Sequence, residues 1–358
     1  MISNNTKAIL LLKMKSLQDG SVDNLKPNEI RKIIDLLHQN KLYPEDLLLE
    51  DNIKVLNLIE SKLSISASRI SQLISQSIAL SLNITKWSKL GIWVISIFDN
   101  AYYPLALKMK YRHKCPLILF GSGNKDILQK GGIGIVGSRD INYEEVDYTK
   151  LVAKKFANNN VVVITGGAKG ADETAMKNAL NHGGEVICIL PAELNLKVLD
   201  SSNRRYIEEK KLVLICTENP EAKWTPGRAM ARNKYIYLLS NGVLVVASGL
   251  KGGTWSGANE CLEKGWTKVF AKPSNNPESG VLKLFESGAL NHSELDIEEL
   301  NLKLNYELLL IDEIAKLEQK SIKATKAMLT KKNIKYLDYQ PKSTSRKKLD
   351  ESKQKNLF

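Results

Sequence analysis

IGIVGSR, residues 133–139, is the stretch of sequence that decides the fold of this chain. Its first four residues form an unbroken apolar run, which is typical of a short buried strand, and the glycine and serine that follow predict a tight turn. A helical pattern then covers 143–158, and a second apolar strand covers 161–165. Apolar strands that alternate with helices predict a parallel α/β sheet with helices on both faces.

The same alternation continues in both directions and predicts a Rossmann-like domain over residues 87–290. Further short apolar strands are predicted at 92–97, 117–120, 185–190, 212–216, 242–247 and 267–271. Helices are predicted between them at 172–181 and after them at 281–288.

Helical spacing of apolar residues dominates outside this domain. Amphipathic patterns predict three helices, at 28–37, 53–63 and 68–82. They indicate an N-terminal helical domain over residues 1–86, whose role is open between packing or self-association and direct DNA contact. At the other end we predict a C-terminal helical segment over 291–335 and a disordered basic tail over 336–358.

The charge balance favours a polyanionic partner. The 358 residues include 52 Lys and Arg against 39 Asp and Glu, a formal net charge of +13. This excess favours nucleic acid or an anionic membrane surface, although solvated lysines raise the charge in the same way. No apolar run approaches the roughly 18 residues of a membrane helix, so no membrane partner is expected. The cysteines form no C-x-x-C pair and the first residues no signal-peptide pattern, which predicts reduced thiols and a cytoplasmic protein.

Two glycine-rich turns follow consecutive strands and predict a phosphate-binding crevice. In the first turn, Gly137 and Ser138 direct backbone N–H groups outward at the start of a helix, and Arg139 adds a planar guanidinium. The second turn has five candidate residues, which are Gly166, Gly167, Lys169, Gly170 and Asp172. We expect its glycines to let the main chain approach an anion, its lysine to supply charge and its aspartate to cap the next helix. Either turn alone could be purely structural, but two on consecutive strands favour an anion site.

A third group of candidate phosphate-binding residues lies later in the chain. It comprises Arg232, Asn233 and Lys234 in a helical pattern, and Gly252, Gly253, Thr254 and Ser256 in a glycine-rich turn after a strand. The two hydroxyl groups of that turn are suited to donate to phosphate. Trp255, in the same turn, either stacks on a base or packs against a neighbouring helix.

These motifs, taken in order, resemble those of the DNA-processing protein A (DprA/Smf) family. The resemblance covers about residues 87–289 and also includes Tyr103-Pro104 and the run from Leu119 to Gly121. It implies an extended Rossmann-like fold, single-stranded DNA binding, loading of a RecA-type recombinase during DNA uptake (competence) or repair, and often a homodimer. The sequence departs from the family pattern at Met176, where a histidine is usual, and at Lys234, which ends a run that is usually Arg-Asn-Arg.

The leading hypothesis is therefore a non-enzymatic protein that binds single-stranded DNA, as a divergent family member specialised, for example, for a mobile or defence locus. We expect no catalytic residue, cofactor or metal, because the histidines are isolated and no serine or cysteine has a neighbouring base. One alternative is a nucleotide phosphoribohydrolase of the lysine-decarboxylase-like (LOG) type, which Arg232, Gly252-Gly253 and Glu260 resemble. Another is a sensor that binds a small nucleotide and acts through the helical ends.

Overall fold

A mixed nine-stranded sheet organises the part of the chain that the computed structural model describes, which is residues 2–14, 23–277 and 279–297. Its strand order is β1-β2-β6-β5-β4-β3-β7-β8-β9. The strands are β1 (Ile92–Ser96), β2 (Ile118–Ser122), β3 (Ile133–Val136), β4 (Val163–Thr165), β5 (Val186–Leu190), β6 (Leu212–Cys216), β7 (Gly242–Val245), β8 (Lys268–Ala271) and β9 (Leu290–Asn291).

The sheet is parallel from β6 through β9, and it is antiparallel at the edge formed by β1 and β2. The predicted α/β sheet is thus confirmed, but the expectation of an entirely parallel sheet is wrong at this edge. An apolar run of five residues has the same pattern in either direction, and the pairing with β6 decides which way β2 runs.

Helices cover both faces of the sheet. They are α1 (Asn4–Lys13), α2 (Pro27–Gln39), α3 (Ile53–Leu63), α4 (Ala67–Ile74), α5 (Ser77–Lys89), α6 (Leu105–Tyr111), α7 (Tyr143–Asn158), α8 (Ala171–Asn181), α9 (Leu194–Leu199), α10 (Ser201–Glu208), α11 (Pro226–Leu239), α12 (Gly253–Lys264) and α13 (Gly280–Glu286). Pro27 occupies the first turn of α2, where its missing N–H costs nothing. The C-terminal segments predicted beyond residue 297 lie outside the described residues.

The helical region before the sheet differs from its prediction at two places. The helix expected at 68–82 is two helices, α4 and α5, and at the break the Ser75 hydroxyl donates to the carbonyl of Gln72 at 2.9 Å. Such side-chain bonds compete with the helical backbone. The apolar run Ile9 to Leu12 forms most of α1 and is buried, although the sequence gave no separate prediction for it.

Alternate residues of each strand face two different cores. In β6, Leu212 and Leu214 face a core that they share with α1 to α5, α7 and α8, whereas Val213 and Ile215 face a core beneath α6, α11 and α12. Because the N-terminal helices contribute to the first core, they pack directly on the sheet. The predicted boundary at residues 86 and 87 remains a prediction.

Polar contacts join the N-terminal helices to the strands and loops of the sheet. The Thr6 hydroxyl donates to the Ser96 hydroxyl at 2.7 Å, and the Lys13 ammonium donates to the carbonyl of Thr217 at 3.1 Å. All four cysteines are buried and unpaired, as expected for reduced thiols. Within the described ranges, none of the helices combines the length and apolar character required to span a bilayer.

Candidate nucleic-acid interface

The predicted glycine-rich turns lie together at the carboxyl edge of the sheet. β4, β3 and β7 are adjacent and parallel, so the turns that follow them leave from the same edge. The order of the strands reverses between β3 and β7, since β4 to β6 lie on one side of β3 and β7 to β9 on the other. Such a reversal opens a crevice outside the carboxyl ends of the strands, which is where doubly wound sheets bind ligands.

A single buried carboxylate joins the turn after β3 to the turn after β4. Asp172 accepts a hydrogen bond from the backbone N–H of Gly137 at 3.3 Å through Oδ1 and from that of Gly166 at 3.0 Å through Oδ2. The expectation that Asp172 caps helix α8 is wrong, because Gly170 is the N-cap residue and Asp172 lies in the first turn. Its carboxylate fixes the two turns relative to each other.

Arg232 lies beneath these turns rather than on their surface. Only 6% of the residue is exposed, and its Nη1 donates to the carbonyl of Ile189 at 2.7 Å. Burial raises the pKa of the Asp172 carboxyl, and the positive charge of Arg232 acts in the opposite direction. Arg232 was predicted as a phosphate ligand, but its position makes it the buried countercharge of Asp172. A β-carbon on Gly166 would strike its Nη1, so this glycine is required by close packing.

Gly170 allows the two turns to approach each other. It has φ +89°, and a β-carbon there would lie 2.4 Å from the carbonyl oxygen of Ser138 and 2.5 Å from that of Arg139. The neighbouring N–H of Ala171 donates to the Ser138 carbonyl at 3.2 Å. Only glycine fits both this backbone conformation and this contact.

The turn after β7 is bonded to the turn after β3. The Thr254 hydroxyl donates to the carbonyl of Gly137 at 2.9 Å, and the N–H of Ser138 donates to the carbonyl of Ala247 at 2.9 Å. The outward N–H groups expected at Gly137 and Ser138 are therefore engaged inside the protein. Thr254 holds the loops together, and its hydroxyl is not directed at a free site.

Several predicted residues remain accessible around the crevice. The exposed ones are Arg139, Gly167, Lys169, Gly252 and Ser256, together with Lys251 of the same loop. Arg139 and Lys169 follow adjacent strands, so two positive charges border the turns that Asp172 joins. These side chains and the exposed glycine backbone are the groups that can reach an anion.

Two other residues of the third predicted group lie away from this surface. Lys234 places its ammonium over the rings of Tyr111 and Tyr235, at 5.3 and 5.4 Å from their centroids, on the side of the sheet that α6 covers. Asn233 packs beside Gly253. The tertiary structure thus brings together the turns after β3, β4 and β7 and separates Lys234 from them. Trp255 is partly buried against the second core, which agrees with packing rather than base stacking.

Exposed apolar side chains near the crevice were not predicted. Trp224, Met230 and Leu250 are 44%, 47% and 49% exposed. Met230 lies beside Gly253, and Leu250 belongs to the loop after β7. Leucine beside glycines in a loop is the one local signal that the sequence offered for such a surface.

The fold and the crevice together define an anion-binding Rossmann-like protein. The model of the DNA recombination-mediator protein A family matches residues 93–300, and the chain belongs to this family. It is 30% identical over 206 residues to the DNA processing protein DprA of Streptococcus pneumoniae, covering 54% of this chain and 68% of that protein. It is 31% identical over 211 residues to the DprA of Bacillus subtilis, covering 56% and 67%.

A solved structure supports the fold. The X-ray structure of DNA processing protein A from Streptococcus pneumoniae superposes with a TM-score of 0.62 at 23% identity, covering 81% of this chain and 95% of that one. The coverage reaches well beyond the 54% of the chain in the sequence match, so the likeness of fold extends past the aligned sequence.

Proposed function

We propose that this protein binds single-stranded DNA in the crevice at the ends of β4, β3 and β7 and acts in DNA processing and recombination. The observation that carries the proposal is the placement of Arg139 and Lys169. Both are exposed at the ends of adjacent strands, about 5 Å apart in the sheet, on turns that Asp172 locks together. A rigid pair of cations beside exposed glycine backbone suits consecutive phosphates of a polyanion.

The surface near the crevice favours single strands over duplex. Unpaired bases present flat apolar faces, and proteins that bind them combine a basic groove with exposed apolar or aromatic side chains. Trp224, Met230 and Leu250 provide such side chains near the basic turns. Membership of the DNA recombination-mediator protein A family supports the same ligand.

The test is a fluorescence-anisotropy titration of a labelled single-stranded oligonucleotide across a salt series. We compare the wild type with Arg139→Ala plus Lys169→Ala. The charge-matched control is Lys130→Ala plus Lys268→Ala, which removes two exposed cations at the opposite edge of the sheet. Each lost phosphate contact lowers the slope of log K against log salt by about 0.7 for a single strand, so the crevice variant should lose about 1.4.

The two variants separate local contacts from overall charge. We expect tight, salt-sensitive binding by the wild type and the control, and a weaker, flatter response from the crevice variant. Equal loss in both variants would mean that net charge alone attracts DNA. Full binding by the crevice variant would move the contact elsewhere in the chain, and no binding by the wild type would refute the proposal.

The partnership with a recombinase is a separate part of the proposal. The family's description as a recombination mediator supports a RecA-type recombinase as partner in a cytoplasmic protein. The test measures how fast a purified recombinase assembles on single-stranded DNA already covered by a single-strand-binding protein, with and without this chain. Faster assembly is expected, and no change in rate would contradict the partnership.

Self-association is also proposed, as a homodimer. Ile78 and Leu82 lie one turn apart on α5 and are 78% and 68% exposed, which supports an apolar contact between copies. Light scattering after size-exclusion chromatography should give twice the monomer mass for the wild type. The variant Ile78→Ser plus Leu82→Ser should give the monomer mass if this face forms the contact.

A further inference from the structure

A second basic site lies beside the crevice, at the ends of β5 and β6. A cavity of about 290 Å³ opens there between Pro191, the Thr217-Glu218 turn and the first turns of α11. It is at the small end of ligand pockets, yet about ten times the volume of one water molecule. The cavity therefore has room for a phosphate group and for a small group attached to it.

The start of α11 points its dipole at this cavity. α11 has 14 residues, begins after the N-cap Thr225 with Pro226, and carries no acidic side chain in its first turn. Gly227 lines the cavity, and a β-carbon there would meet nothing within 4 Å. A helix start of this length favours a negative charge, and here no side chain of the helix supplies one.

A buried, unpartnered donor lines the same cavity. The Nε of Arg232 has no hydrogen-bond partner among the described residues, although the residue is only 6% exposed. A buried guanidinium N–H without an acceptor is costly, and a bound anion would supply that acceptor. Arg232 also packs against Gly166, so it lies between the cavity and the turn after β4.

Positive charge exceeds negative charge around the cavity. Arg228 contacts Glu218 at 3.4 Å and donates to the carbonyl of Lys223 at 2.6 Å. Lys13 is held against the turn of Glu218, and Arg232 is balanced by Asp172 on its other side. Three cations thus face two carboxylates in a partly desolvated region, which leaves one positive charge to be neutralised.

We propose that this cavity binds a phosphate monoester, either a free nucleoside monophosphate or the terminal phosphate of a DNA strand. A monoester carries close to two negative charges at neutral pH, whereas an internal phosphate of DNA carries one. Two guanidinium groups and a helix start therefore favour the monoester. The strand-end form of the proposal rests on the proposed DNA binding, because the cavity lies one strand beyond the turn after β4.

Two variants test the site, and each should leave the protein folded. Arg228→Ala removes a partly exposed cation of the cavity. Gly227→Asp adds a carboxylate in open space at a helix start, where it suits the helix but repels an anion. The control is Arg204→Ala, which removes an exposed arginine paired with Glu208 at 2.9 Å on α10. Thermal melting confirms that all three variants are folded.

The first arm uses calorimetric titration with deoxyadenosine 5′-monophosphate, and deoxyadenosine as the ligand without phosphate. The second arm compares the affinity for one oligonucleotide bearing a 5′-phosphate, a 3′-phosphate or neither. Support for the free nucleotide is binding of the monophosphate that both cavity variants weaken at least tenfold and the control does not. Support for the strand end is at least fivefold tighter binding of a phosphorylated oligonucleotide, lost in the cavity variants.

Other outcomes overturn the inference and leave the proposed function distinguishable from it. If the monophosphate does not bind and the three oligonucleotides bind equally, the cavity proposal is wrong and DNA binding stands. If the control weakens binding as much as the cavity variants, the attraction is general and the site is refuted. If the monophosphate binds at the cavity but no oligonucleotide binds at all, the cavity is supported and the proposed DNA binding fails.

Discussion

Substitution of Gly170 by alanine should separate the turns after β3 and β4. Gly170 has φ +89° and ψ −129°, a region that residues with a side chain adopt at a cost of about 1–3 kcal/mol. The new β-carbon would also lie 2.4 and 2.5 Å from the carbonyl oxygens of Ser138 and Arg139. These are backbone atoms, so relief requires movement of the whole turn.

The expected loss of unfolding free energy is the sum of these two effects. Overpacking of this kind costs about 1–3 kcal/mol, which gives about 2–6 kcal/mol in total for Gly170→Ala. Gly183 follows the other end of α8 and is the matched control, because it has φ +74° but nothing within 4 Å of a β-carbon. Gly183→Ala should therefore lose only the conformational cost, about 1–2 kcal/mol.

Urea denaturation measures both variants, and anisotropy measures their binding of single-stranded DNA at a temperature where both are folded. We expect a clearly larger loss of stability for Gly170→Ala than for Gly183→Ala, and at least threefold weaker DNA binding for Gly170→Ala alone. Equal stability losses would refute the close contact of the two turns. Unchanged DNA binding by a destabilised Gly170→Ala protein would show that the spacing of the turns does not matter to the ligand.

Two further predictions concern a buried lysine and the third loop. Lys110 donates to the carbonyl of Ser240 at 2.6 Å, and burial lowers its pKa from 10.5 to about 8. Since the unfolded chain binds the extra proton between about pH 8 and 10.5, stability should rise through that window by up to about 3 kcal/mol, and Lys110→Met should abolish this rise in urea titrations at pH 7 and 10.5. Thr254→Val, which removes the 2.9 Å hydrogen bond to the Gly137 carbonyl, should cost about 1 kcal/mol and weaken DNA binding, whereas Ser256→Ala in the same exposed turn should leave stability within about 0.5 kcal/mol; no difference between the two would contradict a structural role for Thr254.

Much of the fold could be predicted from the sequence alone. The helices at 143–158 and 53–63 and the strand at 212–216 begin and end where the apolar patterns predict. Local periodicity carries this information because side chains on strands and helices face the core at spacings that the backbone dictates. The antiparallel edge and the break between α4 and α5 were not predictable in this way, since an apolar run has no direction and the break depends on a local side-chain bond.

The candidate site divides along the same line. The sequence by itself determined that glycine-rich turns with Arg139 and Lys169 follow consecutive strands, because glycines and cations after apolar runs are visible without a structure. Only the tertiary structure decided that Arg232 is buried and that Lys234 lies over two tyrosines. It also decided that Asp172 joins two turns instead of capping its helix. The reason is physical: burial and partnership depend on which strands become neighbours, and a charged residue has the same letter whether it faces water or the interior.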